Sequence, residues 1–402
     1  MKLFQNRSIL LGVTGSIAAY KAVDLASRLT KAGAKVNAVL TPGAEKFITP
    51  LTFQSVTGCK AFTDKDLWEG ETHVTHIGLG HNADFIVIAP ASADFMAKLA
   101  YGFGDSLLAV SILASHCPML AVPAMDGDMY NNPATQANIA ILRDRGIHFI
   151  GPDSGHLASG LAGVGRMSEP ADIFGKIRLL LSRDNYLKGK RILVTAGGTQ
   201  EAIDPVRFIT NRSSGKQGYA IAQAALDAGA DVILVTTPTG LEAPYGCEKV
   251  LVKSAEEMQN NLLDRLPDCD ALIMCAAVAD FRPKQISQQK IKKSSGYHKI
   301  DLEPTEDILG EIAGIRSSMP NLKAVFGFAA ESQDLIKNAS EKLNKKKLDM
   351  MIANDISSSD SGFEVDQNRA FFLFPDGNKK EMPLMEKSDL AEKIIAELNR
   401  FF

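Results

Sequence analysis

Arg207 and Asn211 stand close together in a stretch, residues 195–218, that is crowded with glycine, hydroxyl and charged side chains. Glycine N–H groups and hydroxyls in that density can cradle a polyphosphate. A guanidinium and a carboxamide beside a helix entrance can meet an anion or a developing oxyanion; a flexible polar loop would have a similar composition. Farther along, an apolar run ends at Cys275-Ala-Ala-Val-Ala-Asp280, placing a carboxylate where Mg2+ could be held. Lys290-Ile-Lys-Lys293 then supplies a basic run, suited either to phosphates or to a solvated face.

The first half carries a second set. Gly12-Val-Thr-Gly-Ser-Ile-Ala-Ala-Tyr-Lys21 is a glycine turn opening a helix, where free N–H groups and the helix dipole can hold an anion with Ser16 adding a hydroxyl. It lacks GxGxxG, so no dinucleotide is specified, and a turn that merely needs glycine would look the same. Pro90-Ala-Ser-Ala-Asp94 and Pro123-Ala-Met-Asp-Gly-Asp-Met-Tyr130 follow two further apolar runs. His76, between His73 and His81, is either a proton-handling group or an ordinary surface or capping histidine.

Both sets need elements to position them. Residues 8–13 read as a strand, 17–32 as a helix, 36–40 and 85–89 as further strands, and the same grammar restarts at 191–195. Residues 228–238 echo 32–42, and 270–280 echo 84–94. The expected fold is therefore α/β: two Rossmann-like, doubly wound domains on parallel sheets, 1–186 and 187–402, divided within the polar stretch 181–190. Open parallel sheets bind ligands beyond the carboxyl ends of their strands, which directs attention to the loops after Val13, Leu40, Ala89, Val194, Val235 and Cys275.

Composition narrows the partners. Across 402 residues, 44 basic and 47 acidic side chains leave a net charge of −3. That balance argues against nucleic acid or an anionic membrane as the main partner, so any phosphate site must be local. The most apolar stretch, 107–125, is interrupted by Ser111, Ser115, His116 and Pro118 and reads as a buried helix leading into a strand. Five scattered cysteines without a CxxC pair, and no secretory segment, predict reduced thiols and a cytoplasmic location.

On the Gly15-Ser16 turn, Pro90 to Asp94 and Pro123-Ala-Met125, the first half resembles the FMN-dependent cysteine-decarboxylating flavoproteins, whose fold is flavodoxin-like. The resemblance implies FMN against Gly15, Ser16, Ile17, Thr41, Ala91, Ser92, Ala93, Asp94 and Met125, and a catalytic His76 in the motif His76-Ile-Gly-Leu79. In that family flavin-dependent oxidation of the thiol-bearing carbon lets CO2 leave, hydride returns, and a cysteine protonates the last intermediate. Two positions depart: Asp126 stands for the usual asparagine and Ser159 for the usual cysteine. A thiol of pKa about 8.5 is a far stronger acid than a serine hydroxyl. A protonated carboxyl at Asp126 is therefore expected to deliver that proton; the alternative is a flavin domain that serves only as an assembly scaffold.

The stretches 195–218, 276–280, 290–293, 326–331 and 348–355 resemble phosphopantothenate–cysteine ligase across essentially the whole second half. CTP is thereby expected at Met274, Cys275, Ala276, Asp280, Lys290, Thr305, Glu306, Asp307, Ile308, Phe328, Lys342 and Lys346, with Asp280 holding Mg2+. Asn211 would hold an acyl cytidylate made from 4′-phosphopantothenate and CTP, Arg207 and Lys290 would assist, and cysteine would displace CMP. Together the halves resemble the bacterial bifunctional flavoproteins of coenzyme A synthesis. That resemblance also implies flavin-domain trimers and ligase-domain dimers joined into a dodecamer. An NAD(P)-dependent reductase is disfavoured because neither half has GxGxxG followed by an acidic residue at the end of its second strand.

Overall fold

The computed structural model describes residues 3–68, 74–158, 160, 162–292, 299–331, 334–355 and 367–402. The chain divides into two compact units between Leu181 and Ser182. The first contains β1 (Ser8–Val13), α1 (Ala19–Lys31), β2 (Lys35–Leu40), α2 (Pro50–Thr57), α3 (Thr75–His81), β3 (Phe85–Ala91), α4 (Ala93–Tyr101), α5 (Leu107–Leu113), β4 (Met119–Pro123), α6 (Gly127–Asn131), α7 (Pro133–Asp144), β5 (His148–Phe149), β6 (Asp153–His156), β7 (Ala162–Arg166) and α8 (Pro170–Ser182). Strands β1 to β5 form one parallel sheet in the order β2-β1-β3-β4-β5. Its strands are near-continuous apolar runs because helices cover both faces. Leu10, Val39, Ile86, Ile88 and Leu108 meet in the core. The order reverses direction at β1/β3, the switch point at which flavodoxin-like sheets bind ligands.

The second unit contains β8 (Arg191–Ala196), β9 (Gln200–Ala202), β10 (Phe208–Thr210), α9 (Lys216–Asp227), β11 (Asp231–Thr236), β12 (Glu248–Leu251), α10 (Ala255–Arg265), β13 (Ala271–Met274), β14 (Phe281–Pro283), β15 (Leu302–Pro304), α11 (Ile308–Ile315), β16 (Ala324–Glu331), α12 (Leu335–Lys345), β17 (Met350–Asp355), β18 (Gln367–Leu373), β19 (Lys379–Glu386) and α13 (Lys387–Leu398). Its eight-stranded sheet runs β12-β11-β8-β13-β16-β17-β18-β19. The first six strands are parallel, with the switch point at β8/β13.

The repeat heard in the sequence is physical. In each unit an aspartate ahead of the strand across the switch point (β3, β13) closes the start of the first: Asp84 accepts from the Ser8 N–H at 2.7 Å, Asp270 from the Arg191 N–H at 2.8 Å. Gly33 and Gly229, the matching glycines after α1 and α9, take left-handed φ values of 99° and 93°, which favour glycine.

Three expectations are corrected. The second sheet is not wholly parallel, since β18 and β19 add antiparallel strands. The stretch 195–218 is not all loop: an Asp204-Pro205 turn, a pair suited to the first positions of a tight turn, joins β9 and β10 in a hairpin. Helix α9, expected from the sequence to start near Tyr219, starts earlier, at Lys216, because Gly215 at φ 77° lets the chain swing into it.

Candidate active sites

In the second unit a single hydroxyl fastens the switch point. Thr195, buried at the end of β8, accepts the N–H groups of Cys275 (3.0 Å) and Ala276 (2.9 Å). The strand-end loops then zip together: Ala277 N–H donates to the Gly197 carbonyl at 2.8 Å, and Ala279 N–H to Thr199 Oγ1 at 2.9 Å. Asn211 reaches across from the hairpin side, its Nδ2 donating to the Val278 carbonyl at 3.0 Å. That approach is why residue 198 is glycine, since a Cβ there would lie 2.7 Å from the Asn211 carbonyl oxygen. On the opposite wall Thr305 donates its hydroxyl to the Ala279 carbonyl at 2.6 Å and its N–H to the Asp280 carbonyl at 3.0 Å. Asp307 caps α11 through the Gly310 N–H and pairs with Lys346 Nζ at 3.0 Å.

These elements enclose a cavity of about 590 Å³. Every residue expected to touch the nucleotide lines it except Lys290, and Asn211 lines it too. The N-terminus of α9 opens into it, with Lys216 in the first turn and Ser213 and Ser214 just ahead of the helix, a favourable end for an anion. Burial pushes the Cys275 thiol up to about 12, with Lys387 opposing, so this sulfur is a neutral wall and not a nucleophile. Burial also works to raise the Asp307 carboxyl, but the hydrogen bond from Lys346 and the Gly310 N–H outweigh it and hold it below the usual range.

Arg207 and Lys290 are placed otherwise than expected. Neither lines the cavity. The Arg207 guanidinium forks onto the buried carboxylate of Asp204 and also donates to the Ile291 carbonyl at 2.8 Å, while Lys290 is exposed beside that contact. Lys293 lies outside the described residues. Gln217, inside the stretch 195–218, meets Asn368 and Lys387, which no sequence reading pointed to; all three are buried polar side chains on the inner wall. Asn368 donates to Gln217 Oε1 at 3.0 Å, yet its own Oδ1 and that of Asn354 have no partner. No local motif announces the meeting, because the three come from α9, β18 and α13 and come together only in the folded unit.

The first unit uses the same device. Thr14 Oγ1 donates to the Pro90 carbonyl at 2.7 Å and accepts the Ser92 N–H at 2.9 Å, joining the loops after β1 and β3. Ser92 caps α4 through the Phe95 N–H. Gly15 and Gly43 face each other so closely that a Cβ on Gly15 would lie 3.1 Å from Gly43 Cα. The cavity here is also about 590 Å³. Gly15, Ser16, Thr41, Ser92, Ala93, Asp94 and Met125 line it as expected, whereas exposed Ile17 and strand-buried Ala91 do not. Asp64, Lys98 and Asp105 join the lining without any motif to announce them. Lys98 bridges Asp94 (3.6 Å) and Asp105 (2.9 Å). Burial raises the Asp64 carboxyl despite its hydrogen bond from the Leu107 N–H.

The two expected proton carriers lie outside that lining. His76 sits in the first turn of α3, half-buried. Asp126 caps α6, its Oδ1 accepting the Asp128 N–H at 3.1 Å. Its loop is tied to the β6–β7 hairpin by the Met125 N–H donating to the Gly165 carbonyl at 3.0 Å. Ser159 falls outside the described residues. Among the described residues no group of three or more His, Cys, Asp or Glu could hold a metal by itself.

Comparison with known proteins matches residues 2–182 to the flavoprotein family and residues 187–401 to the DNA/pantothenate metabolism flavoprotein C-terminal domain family. The chain is 41% identical over 399 residues to the coenzyme A biosynthesis bifunctional protein CoaBC of Bacillus subtilis, covering 98% of this chain and 97% of that one. Among solved structures, the C-terminal domain of a coenzyme A biosynthesis bifunctional protein CoaBC is 40% identical over 54% of this chain and 97% of its own, with a TM-score of 0.46. The FMN binding protein AtHal3 is 34% identical over 44% of this chain and 97% of its own, with a TM-score of 0.39.

Proposed function

Since the chain belongs to the family of coenzyme A biosynthesis bifunctional proteins, we propose that its two cavities divide the work, ligation in the second unit and decarboxylation in the first. The protein is a bifunctional enzyme, a phosphopantothenate–cysteine ligase and phosphopantothenoylcysteine decarboxylase. In the ligation the carboxylate of 4′-phosphopantothenate attacks the α-phosphorus of CTP, pyrophosphate leaves, and the amine of cysteine then displaces CMP from the acyl cytidylate. Lys342, Lys346 and the α9 N-terminus face the triphosphate; the Lys346–Asp307 pair holds one of these ammonium groups in place beforehand. Asp280 lines the cavity and, of its carboxylates, Asp307 is already paired with Lys346; with no cluster of three or more ligands among the described residues, the site suits Mg2+ carried largely by phosphate oxygens, where the ion would neutralise charge. The observation that carries this reading is Asn211, held by the Val278 carbonyl in the cavity it shares with Asp280, Lys342 and Lys346. Asn211→Ala is expected to accumulate the acyl cytidylate, seen by mass analysis of quenched reactions; normal turnover would remove Asn211 from that role.

The first unit is a flavoprotein, and the facing glycines at Gly15 and Gly43 leave room against the backbone that suits FMN. FMN, when bound, supplies a hydride acceptor and donor. Ser16 and the α4 N-terminus with its Ser92 cap offer donors to the cofactor. His76 and Asp126 handle protons, although both lie outside the lining of this isolated chain. We assign the final protonation to Asp126, and Asp126→Asn should then release an unreduced thiol product, read by mass. Flavin-unit trimers and ligase-unit dimers, combining into a dodecamer, accord with exposed apolar side chains such as Trp68 and Tyr101 in one unit and Phe208 and Phe281 in the other. The five free thiols suit a reducing cytoplasm. Among the described residues no helix is long and apolar enough to cross a membrane.

A further inference from the structure

Asp204 is a heavily engaged carboxylate outside the two cavities. Its side chain is fully buried, and it is not among the residues that line the ligase cavity. Oδ1 accepts the N–H groups of Val206 and Arg207, both at 2.8 Å. Oδ2 accepts Arg207 Nε at 3.0 Å, Arg207 Nη2, and the Ile291 N–H at 3.1 Å. Arg207 Nη2 continues to the Ile291 carbonyl at 2.8 Å, so both backbone groups of Ile291 are clamped by one ion pair. A second tie runs alongside, from the Ser287 N–H to the Ile203 carbonyl at 3.0 Å. A buried carboxylate is costly unless its lone pairs are filled, and here five donors fill them. The β9–β10 turn and the strap leading out of β14 are thereby locked together.

Lys290 is the residue immediately before Ile291. Its long side chain is rich in rotamers and sits on a segment without secondary structure, so its backbone needs an external anchor if the ammonium is to act from a defined place. Asn211 follows β10 directly, so the same hairpin carries the residue that lines the cavity. We infer that Asp204 is a positioning residue for ligation, holding Lys290 in register with Asn211 through Arg207 and Ile291. This rests on the role in ligation that the family resemblance implies for Lys290, which stands outside the cavity lining of the chain by itself.

A double-mutant cycle on the full-length enzyme tests it, with pyrophosphate release, CTP affinity and melting temperature as readouts. Lys290→Gln alone should slow release about tenfold or more, and Asp204→Asn should slow it about tenfold in the parent but under about twofold in the Lys290→Gln background. Any loss of CTP affinity should follow the same non-additive pattern, Asp204→Asn weakening binding no further once Lys290 is replaced. Equal factors in both backgrounds would show a merely structural role and overturn the inference, as would Asp204→Asn at the parent rate. A Lys290→Gln enzyme at the parent rate would instead overturn the reading of Lys290, and the inference with it. Should Asp204→Asn not fold, Arg207→Lys keeps the charge, loses the fork and enters the same cycle with the same expected non-additivity.

Discussion

At the scale of single residues, Thr195 and Cys275 show how a cavity wall is made from groups that never meet the ligand chemically. Removing the Thr195 hydroxyl strands two backbone N–H groups at the switch point, so Thr195→Val should destabilise the second unit by about 1–3 kcal/mol and weaken CTP binding. Denaturant melts and nucleotide titration check this; an unchanged melt would mean that the loop does not depend on that hydroxyl. Cys275 lines the same cavity with its thiol pushed up to about 12. At about pH 8 it is almost wholly protonated, and only the thiolate is alkylated. Iodoacetamide should therefore leave Cys275 unmodified in peptide maps of the native protein and label it after unfolding. Asp204 illustrates the opposite sign. Hydrogen bonds from Arg207 hold its carboxyl far below the usual range, so its stabilising contribution is complete above the unfolded value of about 3.9 and fades only as the pH falls toward the folded one.

At the scale of elements, the two units solve one problem twice. A threonine at or just past the end of the first strand joins the loops of the switch point, and an aspartate ties the start of the first strand to that of the strand across the switch point. Helix α3, which carries His76, is set by close approach: a Cβ on Gly80 would lie 2.3 Å from the Ser111 carbonyl oxygen in α5. Because that atom is backbone, Gly80→Ala must displace α3, at a cost of about 1–3 kcal/mol. If His76 serves decarboxylation, the variant should lose CO2 release while keeping pyrophosphate release. Equal loss of both would mean general misfolding.

For the molecule as a whole, each unit has its own buried apolar cluster, so calorimetry of the FMN-free protein should resolve two transitions. Adding FMN to about one hundred times its Kd should stabilise only the first unit, by about 2.7 kcal/mol; a shift of both transitions together would show thermodynamic coupling. Two α/β halves and most of the two cavities could be read from the order of residues alone. Parallel strands covered on both faces must be continuous apolar runs, and the glycines and hydroxyls that follow them stay local to the chain. The antiparallel β18 and β19 were not legible there, since a strand such as Lys379–Glu386 has side chains that are exposed or at most half-buried and carries no such signal. Nor was there any sign of Asn368, Lys387 or the duty of Asp204. Those depend on which donors arrive from distant segments, and only the tertiary structure decided that Arg207 turns to Asp204 and Ile291, because a buried carboxylate claims the nearest guanidinium before any ligand can.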